Sequence, residues 1–341
     1  MITSISYCQF TLIQLIIVVS TIIIVDKCEG RANFSGSPII IIPGDGGTQI
    51  WAKLNKSRVP HYICYKHTDY YFLLWLSLEL WLRPYEIDCF IDNMKLQYNR
   101  TTHRTSNTPG VLTKIPEFGN TTSIEYLDSE DFHATGYFAT IVETAVSWNY
   151  TRGKDVRGAP FDFRKAPNEL DEYYDSLRNL IEKTYYINSN RKVTLLAHSL
   201  GNPTLLYFLN KQDQRWKDKF IKTYVAVSPP WGGSMKIMLV FASGYNLEQW
   251  SIILPPLKMR NQQRTMPSSA FLLPSRYFWS SDDILVQTDR RNYTVDDYYQ
   301  FFKDINYADG YAMFNDTKDL IANFTPPGVE VIVLLNIFVA R

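Results

Sequence analysis

Residues 197–201 read Ala-His-Ser-Leu-Gly. A serine with small residues two positions away on either side suits a strand-to-helix turn so sharp that larger side chains would collide, and such a turn presents the hydroxyl for acyl transfer. Ser199 is therefore the candidate nucleophile. The pentapeptide alone is weak evidence, since a serine in an ordinary β-to-α turn could carry it by chance. Its flanks strengthen it: residues 192–197 form an apolar run with the character of a buried strand, and residues 204–209 have helical character, with Pro203 tolerated in the first turn. Acyl transfer also needs two backbone N–H groups aimed at the developing oxyanion. One is expected from Leu200, the residue after the nucleophile. The other is expected from Asp45 in the segment Pro-Gly-Asp-Gly-Gly at 43–47, whose glycines permit close backbone approach, although a plain strand-ending turn would look the same.

These groups need a scaffold. Residues 38–42 (Pro-Ile-Ile-Ile-Ile) form a buried-strand pattern that stops at the 43–47 turn. Asn168 is placed to cap a helix whose apolar positions Leu170, Tyr173, Tyr174, Leu177, Leu180 and Ile181 recur at helical spacing, ending before Asn188-Ser189-Asn190. A third strand is expected over 223–227. Strand, helix, strand, helix, strand in this order indicates an α/β fold with a mostly parallel, doubly wound sheet covered on both faces. One domain over 31–341 is expected, with insertions at about 60–100 and about 235–325 where the pattern turns aromatic and irregular.

The chain has 341 residues, 35 Lys+Arg against 34 Asp+Glu, and a net charge of +1. With no basic run, the footprint of a nucleic-acid binder is missing. Residues 1–25 carry no charged side chain and precede a polar break at Asp26-Lys27, so residues 1–30 are expected to be a signal peptide, with an uncleaved anchor as the alternative. Eight N-x-S/T acceptors, including Asn99, Asn292 and Asn315, favour a glycosylated product of the secretory route. Outside the leader only Cys64 and Cys89 remain. In an oxidising compartment they would pair, although two buried free thiols would satisfy the same sequence. Between them, residues 70–82 are too apolar for an ordinary surface loop and too short to span a bilayer. That stretch suits either insertion into a lipid interface or a buried core helix.

Several motifs together resemble the lecithin:cholesterol acyltransferase family. They are the 43–45 loop running into Ala52-Lys53-Leu54, the Cys64 to Cys89 loop, Tyr150-Thr151-Arg152-Gly153, the long block at 158–169 around Asp162, the serine elbow through Asn202, and Pro229-Pro230-Trp231-Gly232-Gly233. The likeness runs from about residue 37 to 331. It implies an α/β-hydrolase, and Asp45 in the oxyanion loop resembles the lysosomal phospholipase type within the family. The expected reaction moves an acyl chain from a glycerophospholipid to Ser199 and then to water or a lipid alcohol such as ceramide. The resemblance further implies lysosomal or secreted residence, no metal or diffusible cofactor, and a monomer. It assigns the disulfide loop to membrane engagement, with Trp75, Leu76, Leu78 and Trp81 as candidate lipid contacts.

The base is the missing piece. In such enzymes the chain order is Ser, Asp or Glu, then His, yet all five histidines, at 61, 67, 103, 133 and 198, precede Ser199. His198, inside the elbow, is expected to point away from its neighbour. A C-terminally shortened chain that has lost the triad Asp and His is expected, and with it the alternative of a catalytically inactive lipid-binding product.

Overall fold

The computed structural model describes residues 36–77, 86–128, 135–246 and 255–335. β1 (Ile39–Ile42) is buried at all four positions. Its alternation feeds two cores: Ile40 and Ile42 pack into one, Ile39 and Ile41 into the other. A strand covered on both faces has no use for a polar side, which is why the run is β-branched and uniform.

After β1 the chain leaves the central sheet. β2 (Ile50–Leu54) and β3 (Phe72–Trp75) pair antiparallel, α1 (Glu86–Met94) follows, and β4 (Leu96–Asn99) with β5 (Arg104–Asn107) forms a hairpin. β6 (Val111–Lys114) returns to the other edge of β2. Cys64 and Cys89 are joined, with their Cα atoms 5.4 Å apart, tying the loop before β3 to α1. The apolar run beginning at residue 70 is therefore part strand rather than a core helix in its described portion.

The chain re-enters the core through α2 (Ala139–Ser147) and β7 (Val156–Gly158), then α3 (Asp171–Ile187), β8 (Val193–His198), α4 (Gly201–Asn210), α5 (Gln214–Phe220) and β9 (Ile221–Val227). Helices α2 and α3 lie on opposite faces, since Ile141 and Val142 belong to one core and Leu177 and Ile181 to the other. Asn168 does not cap α3: the helix begins after Leu170 with no side-chain cap, and Asn168 Oδ1 is buried without a partner among the described residues. A short 3-10 turn over Pro167–Glu169 intervenes and carries the asparagine away from the helix start.

A helical layer follows β9: α6 (Lys236–Ala242), α7 (Pro256–Gln263), α8 (Pro267–Phe271), α9 (Tyr298–Asp304) and α10 (Ala308–Thr317). The last described strand, Glu330–Leu334, pairs with β9. The central sheet thus has five parallel strands, with β8 and β7 on either side of β1 and β9 beyond β8. The chain leaves β1, winds one way to β7, then crosses to β8 on the other side. That reversal opens a crevice at the carboxyl ends of β1 and β8, where sheets of this kind place their ligands.

Candidate active site

Ser199 stands at that crevice, one residue past the end of β8 and two before α4. Its φ is +48°, the left-handed region that a non-glycine residue enters at a cost. Neighbouring backbone pins the strained turn: Ser199 N–H donates to Val227 O at 3.1 Å, and Asn202 N–H donates to Ser199 O at 2.9 Å. The fully buried Asn202 side chain adds bonds from Nδ2 to Ser199 O (3.1 Å) and Val227 O (3.0 Å), and its Oδ1 accepts from Tyr224 at 2.8 Å. Gly201 shows why the motif needs a glycine. A Cβ there would lie 2.4 Å from Pro43 O and 2.8 Å from Ile42 O.

The 43–47 loop presses against the elbow from the β1 side. A Cβ on Gly44 would sit 2.8 Å from Ser199 Cβ and 3.0 Å from His198 O, so only glycine lets the loop come this close. The loop is closed by Gly47 N–H donating to Gly44 O at 3.1 Å, with Gly46 at φ +68°. Trp75 covers it, its indole N–H donating to Gly46 O at 2.7 Å. Asp45 therefore occupies the corner of a closed turn whose first residue, Gly44, lies against Ser199. Its side chain reaches a cavity, accessible yet walled by protein. Asp45 is exposed to solvent, but the protein packed around its carboxyl displaces enough water to raise it to about 6, partly opposed by the Gly46 N–H.

The His198 ring is held by Tyr137. Its Nδ1 meets the Tyr137 hydroxyl at 2.5 Å, while the same oxygen accepts the Gly44 N–H at 3.0 Å. Burial lowers His198 to about 4 and raises the Tyr137 phenol, so both are neutral across the physiological range. His198 thus braces the oxyanion loop through Tyr137. No motif or spacing singles out Tyr137, which lies 61 and 93 residues from its two partners.

A cavity of about 260 Å³ opens beside Asp45, Gly46 and Tyr137 and is lined by Trp75, Leu76, Met94, Phe163, Ile237 and Met259, among others. Trp75 and Leu76, two of the expected lipid contacts, are placed in the wall of this cavity. They are 8 % and 7 % exposed and wall the cavity instead of projecting outward, because pairing of β3 with β2 turns them into the core, where Trp75 packs on Phe90 and Phe163. Leu78, Trp81 and the expected leader at 1–30 lie outside the described residues. Among the described residues, Tyr65 and Tyr70 in the disulfide loop and Tyr62 just before it are exposed aromatics. Asn99, Asn292 and Asn315 are all exposed. Among the described residues no three His, Cys, Asp or Glu side chains gather where a metal ion could be held, and no helix is long and apolar enough to cross a membrane.

The lecithin:cholesterol acyltransferase family model matches residues 71–331. The lysosomal phospholipase A and acyltransferase of Bos taurus is 49 % identical over 297 residues, covering 87 % of this chain and 72 % of that protein. The Homo sapiens protein of the same name is 48 % identical over 294 residues, covering 86 % and 70 %. The phosphatidylcholine-sterol acyltransferase of Homo sapiens is 41 % identical over 300 residues, covering 88 % and 67 %.

Proposed function

The chain belongs to the lecithin:cholesterol acyltransferase family of α/β-hydrolase enzymes, and from that premise we propose that it carries acyl groups from glycerophospholipid through an ester on Ser199. The Ser199 oxygen adds to the ester carbonyl and gives up its proton, and the departing glycerol oxygen gains one as the C–O bond breaks; the base that carries this proton is not among the residues described around Ser199, where His198 is engaged by Tyr137. Water or a lipid alcohol then takes the acyl group and returns a proton to Ser199. Backbone N–H groups of Asp45 and Leu200 hold the oxyanion in both steps.

The observation that carries this reading is the packing of Gly44 and Gly201 around Ser199, which leaves no room for a side chain between nucleophile and oxyanion loop. The adjoining apolar cavity suits an acyl chain. Tyr62, Tyr65 and Tyr70, exposed around the disulfide, suit a phospholipid surface, as aromatic rings do at a lipid interface. We assign the product to the lysosome or the extracellular space, entered through a leader at 1–30 and glycosylated at Asn99, Asn292 and Asn315. One domain with insertions at about 60–100 and about 235–325 fits the same reading.

The test is acyl release from phosphatidylcholine liposomes at acidic and neutral pH, with and without a lipid alcohol, by the chain and by Ser199→Ala. Release by the chain that Ser199→Ala abolishes supports the reading; release that persists in the variant refutes Ser199. A second reading, lipid binding without turnover, is favoured by one observation: His198, the histidine beside Ser199, is engaged by Tyr137. Liposome binding without acyl release would support it.

A further inference from the structure

Gln262 is a polar residue in an apolar wall. It lies near the end of α7, is 2 % exposed, lines the cavity beside Asp45, and its Oε1 has no hydrogen-bond partner among the described residues. Its neighbour Gln263 is fully employed: Nε2 donates to Tyr245 O at 2.6 Å and Oε1 accepts from Tyr245 N–H at 2.9 Å. Both glutamines border the cavity, but only Gln263 is tied to a loop, while the Gln262 carbonyl oxygen is buried in the wall unpaired. A buried carbonyl oxygen left unpaired costs stability, and a methionine or leucine of similar size would cover the same wall without that cost. The cavity's own hydroxyls do not relieve it. Tyr137 is engaged with His198, and Ser269 Oγ donates to Gln263 O at 3.1 Å.

We propose that Gln262 is a specificity-determining residue of the lipid site, its Oε1 accepting a hydrogen bond from a hydroxyl or amide N–H carried on an otherwise apolar lipid. Around Gln262 the wall is mostly apolar, built from Trp75, Leu76, Phe163, Ile237, Met259 and Met266, with Asp45 as its one carboxylate, so a cation reaching Gln262 would be costly to desolvate. A neutral donor loses far less. A site that holds such a donor discriminates against the analogue lacking it, since the acceptor is then left unpaired. This inference rests on reading the cavity as the lipid site and names the feature of the lipid that it recognises.

The test is direct binding, independent of turnover. ω-Bromododecanol, ω-bromododecanamide and bromododecane are titrated into the chain and into Gln262→Met and Gln262→Leu, and bromine quenching of tryptophan fluorescence reports occupancy, since Trp75 walls the cavity. Both variants are expected to bind the alcohol, the amide or both about tenfold more weakly, equivalent to about 1.4 kcal/mol. The alcohol and amide arms show which donor is used. Bromododecane affinity stays unchanged, and the urea midpoint of unfolding is not lowered. Unchanged binding of both polar probes, or equal weakening of all three, overturns the proposal; a lowered midpoint with weakened bromododecane identifies a structural role instead. Acyl release from phosphatidylcholine, assayed on the same preparations, judges the broader function separately. Selective binding without release would overturn only the catalytic reading, and release without selectivity would overturn only the role of Gln262.

Discussion

Arg164→Met should be among the most destabilising single substitutions in the chain, and its pH dependence reveals why. Arg164 is fully buried between β7 and α3. Its guanidinium donates to Asp162 through Nε (2.8 Å) and Nη2 (2.7 Å), to Asn107 Oδ1 (3.0 Å) and Thr113 Oγ1 (3.1 Å) on the β5–β6 segment, and to Met94 O (3.3 Å) at the end of α1. One cation therefore fastens the insertion to the central sheet. Burial alone would raise the Asp162 carboxyl, but the charge and hydrogen bonds of Arg164, with Lys165 beside it, outweigh burial and hold it below its ordinary value. Removing the arginine strands a partly buried carboxylate and frees three acceptors, a loss of about 3 kcal/mol at neutral pH. Total stability for a domain is on the order of 5 to 15 kcal/mol, so the variant would lose a large share of it.

The sign with pH follows from linkage. In the native chain the depressed Asp162 contributes stability above its unfolded value of 3.8, and this is lost as pH falls through the folded value. In Arg164→Met, burial is left to dominate and the folded value rises. The stranded charge then costs stability at neutral pH and is neutralised by protonation at acidic pH. Both effects make the loss largest near neutrality and smallest below about pH 4. Urea unfolding from acidic to neutral pH reads this out, and adding Asp162→Asn to the variant should recover roughly 1 to 2 kcal/mol at neutral pH by removing the stranded charge. A loss under about 1 kcal/mol, a pH-independent loss, or a double variant no better than the single would refute the argument.

Other expectations concern the site and the disulfide. Replacing both Cys64 and Cys89 by serine opens a loop with a sequence separation of 25, and loop-closure entropy puts the loss at about 3.5 kcal/mol, visible as a lower urea midpoint. Ser199→Gly removes the nucleophile but relieves the left-handed φ of +48°, so unfolding should show a gain on the order of 0.5 kcal/mol as acyl release disappears. Asp45, raised to about 6, supports folding fully only below its unfolded value of 3.8, and that support is lost as pH rises through 6. Asp45→Asn should therefore be more stable than the parent above pH 6, the advantage shrinking toward pH 4, as thermal unfolding across this range would show.

Residues whose role is local were legible in the sequence. The run at Ile39–Ile42 identifies a strand with two buried faces, and the small residues around Ser199 identify a turn in which Gly201 meets the Pro43 carbonyl. Sterics within a few bonds decide both. Cys64 and Cys89 belong here as well, because two cysteines in an oxidising compartment have few choices. Asn168 marks the limit of local reasoning, since an inserted 3-10 turn displaced a plausible cap.

The tertiary structure alone decided which apolar surface is covered and which polar group finds a partner. Trp75 and Leu76 were apolar in sequence, but only the pairing of β3 with β2 turns them into the core. Tyr137 joins Gly44 to His198 across 93 and 61 residues, and Gln262 is left facing the cavity while Gln263 is tied to Tyr245. Composition and period report how much surface a segment must bury and on which side, whereas hydrogen-bond partnership depends on backbone brought together from distant parts of the chain. For that reason Ser199 could be singled out from a pentapeptide and its flanking strand and helix, but what surrounds it could not.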